Sequence, residues 1–408
     1  MISYHEAKKI VAEAAQAHVM TQKTVALSAM AGYVAAENVQ APLAIQPFDN
    51  AAMDGFAVIR ADLAEANENN MAVLPVAAMI AAGDSVAVSQ VERGTCVRIM
   101  TGAPVPHGAD AVVPVELTEM RDGAAVFKSC PQQHAHIRMA GEDFQVGDNV
   151  LTKGQSLSVA HILPLASLGI GQVSVFRKPR AAFLATGKEL IDDLSQPLAA
   201  GQIYNTNGPY GAAVLERLGA ECVLCRTIPD EEAAFVEALE ELMAQDLDMI
   251  VSSGAVSAGE FDFVRAGLEK AGAEILFHKV KMKPGKPNLF ARLPNGCLYF
   301  GLPGNPAATA VGLRFFVAAA LRAMRGQQAE EPVTAIAATG FQKKTGLSMF
   351  LKAVQHIDDG SRLRVSFADG QQSFMVHPFL TADCWAVVPE ETAEIKTGDP
   401  VEIYPLFP

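Results

Sequence analysis

The stretch Asp248-Met249-Ile250-Val251-Ser252-Ser253-Gly254-Ala255-Val256-Ser257-Ala258-Gly259-Glu260 joins a short apolar run to a loop of small and hydroxyl-bearing residues. The apolar run predicts a strand over Asp248–Ser252, and the residues beyond the loop predict a helix over Asp262–Ala271. A strand, a small-residue loop and a helix in this order are typical of α/β folds.

The same alternation extends on both sides of this stretch, from Lys178 to Gly326. The predicted elements are the strands Arg180–Ala185, Cys222–Ile228, Ile275–Val280 and Cys297–Phe300, and the helices Asn207–Leu218, Glu231–Ala244 and Pro306–Arg325. Asp230 is a suitable N-cap for the second helix and Gly219 a suitable end for the first. The pattern predicts a mainly parallel sheet covered by helices on both faces.

The regions before the α/β stretch combine helical and β patterns. Ser3 and Glu6 form a capping box that predicts an opening helix ending near His18. From Ala41 to about Arg138, short apolar runs broken by Pro and Gly predict a separate β-rich domain. Ala160–Gly169 is helical again, and this helix is expected to share a layer with the first one.

The region after Glu331 has no helical pattern. Its short apolar runs, such as Arg362–Phe367 and Ala386–Val388, alternate with glycine-containing turns. A small all-β terminal domain is therefore predicted.

Composition limits the class of protein. The 408 residues exceed the size of a single core, and a 50% hydrophobic and 19% charged content is typical of globular domains. The formal net charge is -13 and no run of Lys and Arg is long, so neither a nucleic-acid nor a membrane partner is expected. The polar start, Met1–Lys9, and the arginines that interrupt Thr309–Met324 predict a cytoplasmic protein.

The six cysteines do not form a recognisable disulfide or metal framework. Cys222 and Cys225 are three positions apart in a predicted strand and so point to opposite faces. They are interpreted as ordinary half-buried cysteines, with metal or redox use as the less favoured alternative.

Three loops follow predicted strands of the α/β stretch, where ligands of open parallel sheets bind. They are Thr186-Gly187-Lys188-Glu189, Ser252–Glu260 and Gly301-Leu302-Pro303-Gly304-Asn305-Pro306. Their small residues, each followed by a helix, favour phosphate binding through backbone N–H groups, although any one of them could be a simple tight turn. Gly285-Lys286 lacks the Walker spacing and Gly169-Ile170-Gly171 lacks a third glycine, which excludes the standard nucleotide motifs.

Four lysines lie within the ten residues His278–Pro287 of this acidic chain. In strand alternation Lys279, Lys281 and Lys283 would share one face, which favours an anion site over a solvated charged turn. Asp54 and Asp262 lie in glycine-bearing loops and are suited to holding Mg²⁺, although either could instead be a helix cap.

Several of these stretches resemble the MoeA family, which is shared with the E domain of gephyrin, and the resemblance runs from end to end. The matching stretches are Pro47-Phe48-Asp49-Asn50-Ala51-Ala52-Met53-Asp54-Gly55, Val97-Arg98-Ile99-Met100-Thr101-Gly102-Ala103-Pro104-Val105-Pro106, Gly141-Glu142-Asp143, Met282-Lys283-Pro284-Gly285-Lys286-Pro287 and Gly301-Leu302-Pro303-Gly304-Asn305-Pro306.

The resemblance implies an elongated protein of α/β plus β class with four domains. These are a helical connector (1–40 and 140–177), an inserted β-rich domain (41–139), an α/β molybdopterin-binding domain of the MogA type (178–327) and a C-terminal β-barrel (328–408). It also implies a homodimer in which the inserted domain of one subunit faces the α/β domain of the other.

The resemblance further implies insertion of molybdenum: molybdate joins the dithiolene of adenylated molybdopterin, and AMP is released with Mg²⁺. The functional residues carried over by position are Asp54, Thr101, Glu189, Asp230, Asp262, Lys279, Lys283, Pro303, Pro306 and Ser373. The chemistry of the site, apart from the resemblance, adds Glu260 and Lys286. The loop Ser252–Glu260, which is predicted to bind phosphate, adds Ser253, Gly254 and Ser257.

Within this scheme Asp54, Glu189 and Asp262 would position Mg²⁺, and Lys279 and Lys283 would hold phosphates. Thr101 would orient the phosphoanhydride or its attacking water, and Ser373 with Lys352 would hold molybdate. The chain departs from the family at Lys188, usually acidic, at Ala255, usually glycine, and at Leu347 and Lys352, both usually arginine.

Two other functions fit the same residues. One is adenylation of molybdopterin, whose enzymes share the α/β domain, although the additional domains argue against it. The other is a noncatalytic pterin-binding or scaffold protein, favoured by the departures and opposed by the retained carboxylates. A molybdopterin adenylyltransferase is the expected substrate donor.

Overall fold

The N-terminal region combines one long helix with short strands. The computed structural model describes residues 1–18, 20–85, 90–256 and 263–407. Elements of the first region are α1 (Tyr4–Gln16), β1 (Gln22–Ala26), β2 (Val39–Gln40), and, after the inserted domain, β11 (Asn149–Leu151), α2 (Ile162–Ser167) and β12 (Gln172–Phe176). Strand β1 pairs antiparallel with β12, and β2 with β11. Two-stranded antiparallel sheets thus join the parts of the connector that precede and follow the inserted domain.

Helix α1 begins as the capping residues predict, but it does not share a layer with α2. The Ser3 hydroxyl accepts a hydrogen bond from the Glu6 N–H at 3.1 Å. Buried α1 residues such as Val11 join the core of the α/β domain, whereas Leu165 of α2 packs with Val173 of β12. The predicted shared layer is therefore wrong, because each helix buries its apolar side against a different neighbour.

The inserted region is built of strands, as predicted. Its strands are β3 (Asn50–Ala51), β4 (Gly55–Val58), β5 (Ala72–Ile80), β6 (Cys96–Ile99), β7 (Ala111–Pro114), β8 (Thr118–Arg121), β9 (Ala124–Phe127) and β10 (Ile137–Arg138). The main sheet has the order β7-β4-β6-β5-β9-β8. Its core contains Phe56 and Phe127, whose rings meet edge to face at 6.0 Å.

The α/β region contains the predicted strands and helices in the predicted order, together with strands the sequence did not reveal. Its elements are β13 (Arg180–Thr186), β14 (Leu190–Ile191), β15 (Ile203–Tyr204), α3 (Asn207–Arg217), β16 (Glu221–Ile228), α4 (Glu232–Met243), β17 (Met249–Ser253), α5 (Phe263–Lys270), β18 (Glu274–His278), β19 (Met282–Lys283), β20 (Leu289–Arg292), β21 (Leu298–Leu302), α6 (Pro306–Gly312) and α7 (Ala318–Met324). A π-helical segment, Leu313–Val317, joins the last two helices.

The main sheet has the order β16-β13-β17-β21-β20-β18, in which β16, β13, β17 and β21 are parallel. Strands β20 and β18 add an antiparallel edge. Successive side chains of β13 enter different cores, since Phe183 belongs to the cluster with α3 and α6 and Leu184 to the cluster with α4 and α5. The predicted mainly parallel, doubly covered sheet is confirmed.

The sequence predicts a helix end at Gly219, a helix start at Asp230 and two ordinary cysteines at Cys222 and Cys225. Gly219, with φ +80°, ends α3 as predicted. Asp230 does not cap α4, because the N-cap is Glu231 and no side chain bonds to the helix start there. Cys222 and Cys225 are unpaired, and burial raises the pKa of the Cys222 thiol to about 11.

The segment Pro306–Met324 is long and apolar enough to cross a membrane by those two criteria alone. In the structure, 89% of its apolar window is buried inside the protein. One of the two arginines within this segment, Arg314, forms a two-bond pair with Glu330, at 2.8 Å for each bond. It therefore has the packing of a core helix.

The C-terminal region is all-β, as predicted, and closes into a barrel. Its strands are β22 (Val333–Ala337), β23 (Phe341–Gln342), β24 (Ser348–Ile357), β25 (Leu363–Phe367), β26 (Cys384–Val388), β27 (Glu394–Ile395) and β28 (Pro400–Pro405). The order β24-β25-β22-β28-β26 closes because β26 also pairs with β24. Strand β19 of the α/β region joins this barrel by pairing parallel with β24.

Candidate active site

A cleft of about 910 Å³ opens where β13, β17 and β21 end. The three loops chosen from the sequence meet there: Thr186 ends β13 and Glu189 follows it, Gly254–Val256 follow β17, and Pro303–Pro306 follow β21. The prediction that these loops lie together at the carboxyl edge of the sheet is confirmed. Residues of the barrel, including Ser373 and Leu347, close the cleft on one side.

Gly254 allows the loops after β13 and β17 to approach closely. Its φ is +103°, and a Cβ built there would lie 2.3 Å from Thr186 Oγ1 and 2.8 Å from the Thr186 carbonyl oxygen. Any larger residue would force these loops apart. The adjacent Ala255 has φ +51°, so the departure from glycine places an alanine in the left-handed region.

Some predicted residues of this loop do not reach the cleft or are not described. Ser253 is the buried last residue of β17, and its carbonyl accepts a bond from Thr186 Oγ1 at 3.4 Å. It does not line the cleft. Ser257, Glu260 and Asp262 lie outside the described residues.

The lysine-rich segment does not form one strand, so the prediction that Lys279, Lys281 and Lys283 share a face is wrong. Strand β18 ends at His278, and Lys279 has φ +71°. Ile2 then pairs with the segment, accepting a hydrogen bond from the Lys281 N–H at 2.8 Å, before the chain turns into β19. Pairing with the N-terminus and with the barrel breaks the alternation.

The lysines consequently have different surroundings. Lys283 and Lys286 are exposed and line the cleft. Lys281 Nζ is bound to Glu390 Oε1 at 2.8 Å, and Lys279 is half-buried and does not line the cleft. Two ammonium groups of the predicted cluster therefore face the space between the loops.

Glu189 and Asp230, both half-buried, also line the cleft. Across the described residues, three or more His, Cys, Asp or Glu side chains nowhere group closely enough to hold a metal ion by themselves. Glu189 and Asp230 are thus the carboxylates that the described lining of the cleft offers to a cation, and Mg²⁺ commonly completes such a set with water and substrate oxygens.

Two amide side chains that the sequence analysis did not single out, those of Asn205 and Asn207, also line the cleft. Asn205 is buried and lines the cleft, and its Nδ2 donates to Asp192 Oδ1 and to Thr227 Oγ1, each at 2.9 Å. Asn207 Nδ2 donates to the Gly304 carbonyl at 2.7 Å, joining two of the loops. The run Asn205-Thr206-Asn207 ahead of a predicted helix was the available signal, because such residues favour helix starts and local hydrogen bonds.

Ser373 lines the cleft on a barrel loop, 371–376. Its carbonyl accepts a bond from the Ala307 N–H at 2.9 Å, which fastens this loop to the start of α6. Lys352 lies behind the loop: it is 1% exposed, and its Nζ donates to the carbonyls of Met375 at 3.1 Å and Gln372 at 3.4 Å. Lys352 does not line the cleft, whereas Leu347 does.

Asp54 and Thr101 form a hydrogen-bonded pair on the inserted domain, and neither residue lines the cleft of the same chain. Asp54 Oδ1 accepts bonds from the Thr101 hydroxyl at 2.6 Å and the Thr101 N–H at 2.7 Å. These bonds, with a smaller contribution from Arg98, hold the pKa of Asp54 below its ordinary value. The result is an exposed, ionised carboxylate with a fixed orientation.

The fold and the cleft define a multidomain α/β protein whose cleft combines exposed lysines with loops of small residues. Family models match the chain over most of its length: the MoeA N-terminal region (domains I and II) over residues 2–169, a probable molybdopterin-binding domain over 182–323, and the MoeA C-terminal region (domain IV) over 334–406.

Individual relatives match across nearly the whole chain. A molybdopterin molybdenumtransferase of Haemophilus influenzae is 36% identical over 383 residues, covering 93% of this chain and 92% of that protein. A protein of the same name from Synechococcus elongatus is 32% identical over 369 residues, covering 90% of each chain. The crystal structure of a molybdopterin biosynthesis MoeA protein from Pyrococcus horikoshii OT3 has a TM-score of 0.84 at 28% identity, covering 99% of each chain.

The chain belongs to the MoeA family. The resemblance noted from its sequence and the predicted class, α/β plus β with a C-terminal barrel, are both confirmed.

Proposed function

We propose that the protein is a molybdenum insertase, which transfers molybdate to the dithiolene of adenylated molybdopterin with Mg²⁺-dependent release of AMP. The observation that carries this proposal is the cleft, in which the three loops meet Lys283, Lys286 and the barrel residue Ser373. Relatives that match this chain over more than nine-tenths of its length are named for the transfer of molybdenum to molybdopterin.

The proposed reaction brings anionic substrates together, and the cleft supplies positive charge that can compensate their repulsion. Molybdate and the pterin phosphates are both anions, and two unit charges about 4 Å apart repel by roughly 4 kcal/mol at an effective dielectric of 20. Lys283 and Lys286 supply positive charge beside loops whose N–H groups can bind phosphate oxygens. We assign the phosphates to these lysines and to Gly254, and the substrate walls to Pro303 and Pro306.

Molybdate is assigned to Ser373, at the barrel side of the cleft, where Ala307 and Lys352 fix its loop. Lys352 then affects molybdate binding indirectly, by holding the loop in place, because its ammonium group donates to two loop carbonyls. In this scheme Leu347 offers an apolar contact where the family usually has a guanidinium.

The described residues fit Mg²⁺ only in part: Glu189 and Asp230 offer carboxylates in the cleft, and phosphates would complete the ligand set. We assign Mg²⁺ to Glu189, with Asp262 and Asp54 as further ligands. When bound, Mg²⁺ would neutralise charge on the phosphoanhydride. Lys279 remains assigned to the phosphate region, although it does not line the cleft.

Asp54 and Thr101 require a second subunit in this scheme. We infer a homodimer in which the inserted domain of one subunit covers the cleft of the other, because the pair does not line the cleft of its own chain. Thr101 orients the Asp54 carboxylate through two hydrogen bonds to Oδ1. We further propose a cytoplasmic location and substrate delivery by a molybdopterin adenylyltransferase.

The test combines the purified protein with adenylated molybdopterin, Mg²⁺ and molybdate, and follows AMP release together with molybdenum bound to pterin. Molybdate-dependent AMP release matched by bound molybdenum is the expected result. Formation of adenylated molybdopterin from ATP would instead identify an adenylyltransferase, and tight pterin binding without turnover a scaffold.

Changing Lys352 to Met is expected to raise the KM for molybdate about ten-fold while changing kcat less than about three-fold. The variant removes two charge-assisted bonds to loop 371–376. The Gln372 carbonyl still accepts from the Met375 N–H at 3.1 Å, whereas the Met375 carbonyl loses its bond from Lys352 Nζ. Steady-state kinetics measures both constants. Emission of the single tryptophan, Trp385, should shift as well, because Phe379 lies 5.7 Å from it and 5.5 Å from Lys352 Nζ.

The control for this prediction is Lys344→Met, which removes an exposed lysine from the same barrel and should leave both constants and the emission unchanged. Lys352→Arg, which retains the donors, should recover most of the affinity. An unchanged KM in Lys352→Met would remove this residue from the positioning of Ser373.

A further inference from the structure

A second cavity, of about 210 Å³, lies between the connector and the α/β domain. Gly32–Val34 and Ser156 line it from the connector, and the C-terminal ends of α3 and α7 line it from the other side. Helix α3 begins at the cleft with Asn207 and ends at this cavity with Arg217. The two sites are thus about 15 Å apart along that helix.

Three arginines line this cavity: Arg217, Arg322 and Arg325. The other described lining residues are neutral, so no carboxylate faces the arginines in the cavity. This is unusual in a chain with 45 acidic residues against 32 basic ones. Three like charges around a small space repel one another unless an anion enters it.

Arg325 is 7% exposed, yet part of its guanidinium remains available. Its Nε donates to the Leu321 carbonyl at 2.8 Å and its Nη2 to the Leu218 carbonyl at 2.9 Å. Within the described residues, Nη1 has no hydrogen-bond partner. Burial, with a contribution from Arg322, lowers the pKa of Arg325 to about 10.

The other two arginines also keep unused donors. Arg322 directs both Nε and Nη2 to one carbonyl, that of Gln328, at 3.2 Å and 2.9 Å. Arg217 is exposed and pairs with no other described residue. Arg322 and Arg325 partly serve to cap carbonyl groups near helix ends. Capping accounts neither for the position of Arg217 nor for the lack of a carboxylate among the described lining residues.

The cavity also offers a hydroxyl donor. Ser156 Oγ accepts a bond from Gln327 Nε2 at 2.8 Å, which leaves its own proton available. The volume is below the roughly 300 Å³ at which pockets for drug-sized ligands begin, so a small ligand fits best. A tetrahedral oxyanion can accept bonds from several guanidinium groups at once.

We propose that this cavity binds a phosphate group and thereby joins the connector to the ends of α3 and α7. The phosphate is either the free ion or part of a nucleotide. The site is separate from the cleft, so it does not depend on the proposed molybdenum transfer.

The test is isothermal titration calorimetry of the full-length protein with inorganic phosphate, and separately with AMP, at constant ionic strength. The background is Lys283→Gln, which weakens phosphate binding in the cleft. Saturable binding that becomes about ten-fold weaker in Arg217→Gln is the expected result. Arg217 is exposed and unpaired, so its loss should not impair folding.

Arg265→Gln is the matched control, because it removes one positive charge from an exposed arginine elsewhere in the same domain. It should leave the affinity unchanged. Phosphate that binds more tightly than AMP identifies the free ion, and the reverse order a nucleotide. Equal affinity with and without Arg217, or no saturable binding in the Lys283→Gln background, overturns the proposal.

Discussion

Replacing Asp54 with Asn is expected to lower kcat for molybdate-dependent AMP release by roughly two to three orders of magnitude, as removal of a single oriented electrostatic group does in other enzymes. The change removes the charge but retains the size of the side chain. Thr101 donates both bonds to Oδ1, and within the described residues Oδ2 accepts none, so Oδ2 can meet a ligand. AMP release by quenched flow is the measurement.

Glu68→Gln is the matched control for this substitution, since it neutralises another exposed carboxylate of the inserted domain. It should retain wild-type activity. Pterin binding should survive in Asp54→Asn, because the proposed scheme assigns the phosphates to Lys283, Lys286 and Gly254 and not to Asp54. Unchanged AMP release would exclude Asp54 from the reaction.

Mixing subunits tests the placement of Asp54 across a dimer. Asp54→Asn and Lys283→Gln would each inactivate both clefts of a homodimer, whereas a mixed dimer would contain one cleft with both residues intact. With random association, about a quarter of the wild-type activity should return. No recovery, with mixed dimers demonstrated, would place Asp54 and Lys283 in the same cleft or outside the reaction.

Replacing Asp248 with Asn is expected to lower the free energy of unfolding by about 3 kcal/mol, within the range for breaking a buried ion pair. The side chain is 3% exposed and precedes β17. Its oxygens meet Arg177 Nη1 at 2.5 Å, Arg177 Nη2 at 2.8 Å, His18 Nε2 at 2.7 Å and the Arg180 N–H at 2.7 Å. Urea denaturation measures the difference.

Asp246→Asn is the control, because this neighbouring carboxylate is 81% exposed and lies 3.6 Å from Arg180. Its effect should stay below about 0.5 kcal/mol. If both variants lose a similar free energy of unfolding, the change in net charge, and not the loss of the buried hydrogen bonds of Asp248, accounts for the destabilisation.

The contribution of Asp248 should depend on pH in a defined direction. Burial raises its pKa, but the bonds from His18 and Arg177 outweigh burial and lower the pKa to about 2. A lowered pKa gives stabilisation that is complete above the unfolded value, 3.8, and is lost as the pH falls toward about 2. The difference between wild type and Asp248→Asn should therefore shrink over this interval.

Local sequence was sufficient to predict the loops of the cleft, because each combines a buried strand, small residues and a following helix. Thr186, Gly254 and Pro303 are brought together by the parallel order of β13, β17 and β21, which the alternation of elements already implies. General rules for the carboxyl ends of such sheets then place the site.

The lysine segment could not be predicted from local sequence, because its conformation depends on distant partners. Val280 pairs with Ile2, and Met282 pairs with Ser348, so neither neighbour lies nearby in the chain. A regular strand was the simplest interpretation, and it placed Lys281 on a face that it does not occupy. The position of Lys352 behind its loop likewise depends on barrel closure.

The pairing of β19 with β24 limits how this protein can be divided. The peptide that presents Lys283 to the cleft is at the same time an edge strand of the barrel, with Lys283 opposite Met349. An α/β domain excised before the barrel would retain the sheet and its loops but lose the support of one wall of the cleft. The α/β domain and the barrel are therefore joined by a strand pairing, and shortened versions of the protein should keep residues 282–349 together and retain the whole barrel.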